Sequence, residues 1–235
     1  MIRDGITMEL DPASIPSRLR YNLMIGAIVP RPIAVIGTCS VDGRHNLAPF
    51  SFFMGCGSEP MCLVVSVSNP AGGEGEKDTL RNAKPVAEGG TGEFTVSVAT
   101  ESNIVRVVAC GESLAHGESE FALAGLTPLP GRVVRAPRPA ETPVTFECRT
   151  DRVIRLAPGV AGGSNLLIGR VVHVHLDDSL VQERFHIDGD KLRAVGRMGG
   201  SEYCSTRHRM TIAAGRAALT EHAADDAVRH FGAEG

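Results

Sequence analysis

Residues 30–51 constrain the fold of this chain more than any other stretch. Residues 33–38, Ile-Ala-Val-Ile-Gly-Thr, form an apolar run with the β-branched side chains that suit a strand. Asp42-Gly43 follows, and the glycine supplies the positive φ that a tight reversal needs. From Asn46 to Ser51 the chain resumes an extended course, with Pro49 holding φ fixed. The pattern reads as a β-hairpin whose return strand offers Asn46, Ser51 and bent backbone to a ligand.

Similar runs recur at 47–53, 61–68, 94–99, 144–149, 153–156 and 166–176. Their uneven spacing, with Gly or Pro between most of them, predicts a mainly β protein built as a Greek-key barrel with inserted helices. Helices are predicted over 79–88, with Asp78 or Thr79 as N-cap, over 101–113, and over a short stretch at 119–124. Residues 128–143 hold five prolines and three arginines without strand or helix period, and read as an extended surface connection. The division expected is an N-terminal extension over 1–20, one barrel domain over 21–210, and a tail over 211–235. In the tail Ala213, Ala214, Ala217, Ala218 and Leu219 read as one helix.

Composition narrows the function. A chain of 235 residues with 43% hydrophobic content can bury a sizeable single core. No run of about 18 apolar residues predicts a membrane span, and the start lacks the apolar stretch of a secretory signal, so a cytoplasmic location is expected. A net charge of −3 and few aromatic residues, none of them Trp, argue against nucleic acid as partner. Cysteines at 39, 56, 62, 110, 148 and 204 show no CxxC spacing. They are expected to pack as small apolar residues, with Cys39 and Cys56 beside the ligand-facing hairpin.

Lys77-Asp78-Thr79 follows a glycine-rich stretch and opens a predicted helix. Unpaired N–H groups at such a start, with a lysine and a hydroxyl beside them, suit a phosphate; the competing reading is a capped surface helix with a solvated lysine. Only three of the 24 basic residues are lysines. His173 and His175 alternate on one predicted strand, with Asp177 as the obvious third ligand for a metal. A satisfied or solvent-facing pair is the preferred reading, and no metal is expected.

Several blocks, in order and spacing, resemble one family. They are Pro30-Arg31-Pro32-Ile33-Ala34, Asn46-Leu47-Ala48-Pro49-Phe50-Ser51-Phe52-Phe53, Lys77-Asp78-Thr79-Leu80-Arg81-Asn82, Gly92-Glu93-Phe94, Phe121-Ala122-Leu123-Ala124-Gly125-Leu126-Thr127 and Ile168-Gly169-Arg170-Val171-Val172. From about Tyr21 to Tyr203 the chain is similar to the flavin reductase-like FMN-binding split barrels, which include flavoredoxins and the reductase partners of two-component monooxygenases. The resemblance implies a homodimer that binds FMN rather than FAD, with NAD(P)H as co-substrate and a monooxygenase or other redox protein as partner. It implies the FMN phosphate at Lys77, Asp78 and Thr79, with Asn46, Ala48 and Ser51 along the cofactor and Pro49 and Phe50 against the ring.

The same resemblance makes Ser66 and Asn69 flavin-side candidates, though both residue types also form turns, and Asn46 could equally close its hairpin. Tyr203, in a Gly-Gly-x-x-Tyr segment, either approaches the flavin or packs at the barrel rim. Where the monooxygenase-partner reductases often carry Gly-Asp-His, this chain has Ser164-Asn165, so Asn165 stands on the nicotinamide side without a positive charge. The activity implied is that of an NAD(P)H-dependent flavin reductase with no catalytic side-chain nucleophile or acid. The rivals are a flavoredoxin-like electron carrier and a flavoenzyme acting directly on an organic substrate.

Overall fold

The computed structural model describes residues 8–114, 118–218 and 229–231. In chain order the strands are β1 (Arg31–Pro32), β2 (Ala34–Cys39), β3 (His45–Phe50), β4 (Phe53–Ser58), β5 (Met61–Ser68), β6 (Glu93–Val98), β7 (Pro128–Leu129), β8 (Arg138–Pro139), β9 (Val144–Arg155), β10 (Ser164–Leu176), β11 (Val195–Arg197), β12 (Tyr203–Ser205), β13 (Arg209–Thr211) and β14 (Arg229–Phe231). The α-helices are α1 (Ser17–Ala27), α2 (Asp78–Ala83), α3 (Ile104–Ala109), α4 (Glu120–Ala124) and α5 (Gly189–Leu192).

Seven strands form one antiparallel sheet in the order β3-β2-β6-β9-β10-β5-β4. Its two edge strands, β3 and β4, are consecutive in sequence and separated only by Ser51-Phe52. From Phe50 to Phe53 the chain reaches at most about 11 Å, so the sheet must curl until its edges meet at one end. The edges do not pair with each other, and the result is the split barrel expected. Bending is taken up in the two longest strands, whose register slips between Ile168 and Gly169 and between Val171 and His173. A Cβ on Gly169 would lie 2.3 Å from the Phe94 ring, so the bend brings backbone against the core where only glycine fits.

Period-two alternation sorts the core into two clusters on opposite faces of β2. Ala34 and Ile36 point into the barrel with Val65, Val67, Phe94, Val96 and Leu167. Ile33 and Val35 belong to an outer cluster with Leu47, Val107, Cys110 and Phe121, where α3 and α4 cover the sheet. Such a strand, buried on both faces, reads as a continuous apolar run rather than an alternating one, as residues 33–38 do.

Several expectations are corrected. The helix expected over 79–88 stops at Ala83, because Lys84 precedes Pro85 and adopts ψ 160; a 3-10 turn, Val86–Glu88, then completes the stretch. Its N-cap is Lys77, not Asp78 or Thr79. The helix expected over 101–113 begins only at Ile104, after a turn in which the Asn103 side chain accepts from the Thr100 N–H at 2.9 Å. The strand expected over 47–53 is two strands broken at Ser51, and the runs at 144–149 and 153–156 are one continuous β9. Helix α1 was not anticipated, and it crosses the boundary expected at residue 20.

Residues 128–143 are a packed segment and not a surface connection. Val134 and Ala136 are buried, and Thr95 Oγ1 donates to the Pro137 carbonyl at 2.6 Å. The fully buried Glu147 carboxylate accepts from the backbone N–H of Arg132 (2.6 Å), Val133 (2.7 Å) and Val134 (3.0 Å), and sits 2.6 Å from His175 Nε2. Glu147, rather than Asp177, is thus the acidic neighbour of the His173–His175 pair, since the Asp177 side chain caps Ser179. In the tail Ala217 and Ala218 are helical, Ala213 and Ala214 are not, and the remainder of the expected helix lies outside the described residues. β13 pairs with β14, a pairing with no counterpart in the sequence reading. Among the described residues no helix is long and apolar enough to cross a membrane.

Candidate functional site

β3 is an edge strand, yet its free edge offers few donors. Its alternate residues Leu47 and Pro49 face outward: the Leu47 N–H is taken by Glu120 Oε2 at 3.1 Å, and Pro49 has no N–H. The Asp42-Gly43 turn closes as expected, with Gly43 at φ +92, the Ser40 N–H donating to the Arg44 carbonyl at 2.8 Å and the Gly43 N–H to the Ser40 carbonyl at 3.0 Å. The hairpin leans over the start of α2, and between them lies a groove of about 760 Å³. That volume falls within the usual range for a cofactor-sized ligand. Asn46, Ala48, Pro49, Phe50, Lys77, Asp78 and Thr79 all line it.

A buried polar network ties the hairpin to the helix. Asn46 Nδ2 donates to Thr38 Oγ1 and to Thr79 Oγ1, both at 3.2 Å, and Asn82 Nδ2 donates to the same Thr38 oxygen at 3.1 Å. Among the described residues nothing donates to Asn46 Oδ1, and the Thr79 hydroxyl accepts a bond without giving one. Both groups keep capacity for a ligand. Asn82 and Thr38 were not picked out as site residues; their signal was a polar side chain at a position whose neighbours are core, Leu80 and Ala83 on one element and Ile36 on the other.

Helix α2 starts without a side-chain cap. Helices α1, α3 and α4 likewise start without a side-chain cap, so what sets α2 apart is the Lys77 and Thr79 beside its first N–H groups. The Lys77 ammonium is exposed and has no hydrogen-bond or ion-pair partner among the described residues. Asp78, which would repel an anion, is ion-paired with Arg81, and Arg81 also donates to the Glu76 carbonyl at 2.6 Å. Uncapped N–H groups, a free cation, an available hydroxyl and a neutralised aspartate together make a donor set suited to a phosphate.

The remaining predicted residues lie elsewhere. Ser51 Oγ accepts from Arg31 Nε at 3.2 Å, and Arg31, only 4% exposed, also donates to the carbonyls of Ile25, Ile28 and Met198. Tyr203 packs against the outer core cluster, with the Arg197 guanidinium 4.4 Å from its ring centre, in a small sheet of order β1-β11-β12. Ser66 bonds Ser164 through hydroxyls 2.6 Å apart. Asn69 donates to the carbonyls of Ala157 and Val160, and Asn165 Nδ2 donates to the Val67 carbonyl (3.0 Å) and to Asn69 Oδ1 (2.7 Å). These asparagines clamp the β9–β10 connection to the end of β5.

Cys110 lines the groove as a protonated thiol, pushed up to about 11 by burial and by Glu120. Burial likewise raises Cys39, which lies outside the groove. All six cysteines are free; Cys56 is exposed rather than packed, while Cys39, Cys110 and Cys148 are buried.

A relative from Halalkalibacterium halodurans, itself uncharacterized, is 41% identical over 199 residues, 83% of this chain and 91% of that protein. Among solved structures, nitrilotriacetate monooxygenase component B from Bacillus cereus superimposes with a TM-score of 0.81 at 31% identity, covering 88% of this chain and all of that one. The Pseudomonas fluorescens 2-nitrobenzoate 2-nitroreductase NbaA gives 0.76 at 25% identity, covering 88% and 96%. Residues 25–193 match the family described as flavin reductase like domain. With the split barrel and its phosphate-suited groove, that match places the chain in the flavin reductase-like family.

Proposed function

We propose that this protein is an FMN-dependent oxidoreductase whose flavin is held in the groove between β3 and α2. The observation that carries the reading is that Lys77, without a partner among the described residues, the Thr79 hydroxyl, able to donate, and Asn46 Oδ1, without a donor, line one groove. Lys77, Thr79 and the first N–H groups of α2 hold the phosphate. Asn46 Oδ1 accepts from the hydroxyls or ring N–H of the cofactor. Ala48, Pro49 and Phe50 offer apolar surface to the ring. A single phosphate site and a groove of this size favour FMN over FAD.

The bound flavin supplies hydride transfer from NAD(P)H and delivery of electrons onward. The protein binds and orients it and restricts water around it. The thiol of Cys110 stays protonated and out of the chemistry, and no side chain lining the groove is required as nucleophile. The reading extends to a homodimer, because α1 leaves Leu19, Tyr21, Leu23 and Met24 exposed, and Met54 is exposed on the edge strand β4. Tyr21 packs edge-on to Phe52, which joins these two surfaces.

A second reading has a specific observation behind it. Asn165, at the position expected to meet nicotinamide, spends both amide hydrogens on its own chain. That favours a carrier fed by a redox protein, or a flavoenzyme acting on an organic substrate, over a reductase fed directly. Anaerobic addition of NADH and NADPH to the FMN-loaded protein decides between them. Flavin absorbance that bleaches within seconds is the result expected of a nicotinamide-fed oxidoreductase. Absorbance that persists transfers the assignment to the carrier or substrate-directed enzyme, and failure to take up FMN at all overturns the proposal.

A further inference from the structure

A second cavity, of about 1150 Å³, shares no lining residue with the flavin groove. Its walls are the turn after β6, strand β8, residues 140–143, the C-terminal end of β10 and helix α5. Charged groups of both signs line it, and nearly all are engaged. Glu101 is bonded by Arg207 at 2.8 and 3.0 Å, Glu141 accepts from the Thr127 N–H at 3.0 and 3.1 Å, and Asp190 is ion-paired with Arg209. Lys191 donates to the Ser179 carbonyl at 2.9 Å and Arg193 to that of Asp190 at 3.3 Å.

Arg138 is the exception. Among the described residues its guanidinium has neither hydrogen-bond nor ion-pair partner, and its Nε is the sole buried side-chain nitrogen or oxygen left unsatisfied. A buried donor without a protein acceptor carries a penalty that a water, an ion or a ligand can relieve. The segment bearing it is not loose: β8 pairs with β7 in the register Leu129↔Arg138, Thr142 Oγ1 donates to the Pro139 carbonyl at 2.9 Å, and Pro139 is buried.

We infer that this cavity is a carboxylate-binding site organised by Arg138. The two terminal nitrogens of the guanidinium, which unlike Nε are not sealed from the cavity, form a planar fork that matches two carboxylate oxygens. A single net charge suits the site better than a dianion, because four acidic residues, Glu101, Glu141, Asp177 and Asp190, stand around it. Val174, Leu176, Leu180 and Leu192 line the same space and would take an apolar body attached to the carboxylate. The carboxylate is either that of a small organic acid or that of an acidic side chain on a second copy of this chain.

The test uses the full-length, flavin-loaded protein and its Arg138→Gln and Arg138→Lys variants, each checked by circular dichroism. Benzoate and hexanoate are titrated calorimetrically, with benzamide as the neutral counterpart, and sedimentation velocity follows the oligomeric state. Benzoate or hexanoate binding that benzamide lacks, weakened at least tenfold by Arg138→Gln and less by Arg138→Lys, confirms the site for free acids. No binding of either acid, with at least a tenfold shift toward monomer in Arg138→Gln, assigns the carboxylate to a second copy. Acid binding indifferent to Arg138, benzamide binding equal to benzoate, or neither binding nor a change in sedimentation overturns the inference.

Discussion

The Glu147 carboxylate is fully buried, yet it serves the fold rather than a reaction. Burial alone would raise its pKa, but the N–H groups of Arg132, Val133 and Val134 and the His175 ring outweigh that and hold it below the usual carboxylate range. Because the folded state favours the ionised form, the associated stability is complete above the unfolded pKa of about 4.3 and is lost as pH falls through that value toward the folded one. Glu147→Gln should cost about 3 kcal/mol at pH 7, since it sets an amide N–H₂ against backbone donors. Urea denaturation from pH 7 to 3.5 should show the wild-type stability falling toward the variant's. Thiols give a second check at this scale: at pH 8 a thiol reagent should modify the exposed Cys56 first and leave Cys39, Cys110 and Cys148 untouched until the protein unfolds. Asn46, Lys77 and Thr79 were picked out by resemblance, since the local pattern fitted a hairpin-closing Asn and a capped surface helix as well, and the structure brings them to one groove; Asn69 and Asn165, picked out the same way, spend their amide hydrogens on the β9–β10 connection and on the end of β5, which no local pattern reveals.

At the scale of elements, the strands were legible because β-branched runs survive whether one face or both are buried, as β2 illustrates. Boundaries failed where a single residue decided them, such as Pro85 ending α2 and the break at Ser51 between β3 and β4. The segment over 128–143 was misread because its order comes from Glu147 and Thr95 on other strands, not from its own prolines. Helix α1 was missed because its apolar residues do not collect on one buried face; none of its residues is buried. Gly169 yields the sharpest prediction here. Gly169→Ala puts a methyl group against the Phe94 ring at the barrel's bend and should lower stability by about 1–3 kcal/mol, read as a reduced thermal midpoint with the far-UV spectrum retained.

At the scale of the whole molecule, curling the sheet brings β3 to the start of α2, and that closure builds the candidate groove from residues more than thirty apart in sequence. The chain's own charge and composition said nothing of this groove; it emerged from motif order and from the fold. The exposed apolar residues of α1 and β4 predict a homodimer, and Leu23→Asp combined with Met54→Asp should shift sedimentation from dimer to monomer without loss of secondary structure. The claim on which the account rests is that the start of α2 binds the flavin phosphate. Fluorescence titration of FMN into the wild type and the Lys77→Ala/Thr79→Ala double variant tests it most directly. The account predicts an affinity loss of roughly 2–4 kcal/mol, from one charge-assisted and one neutral hydrogen bond, with riboflavin, which lacks the phosphate, binding both proteins alike. Equal FMN affinity in the two proteins would contradict it.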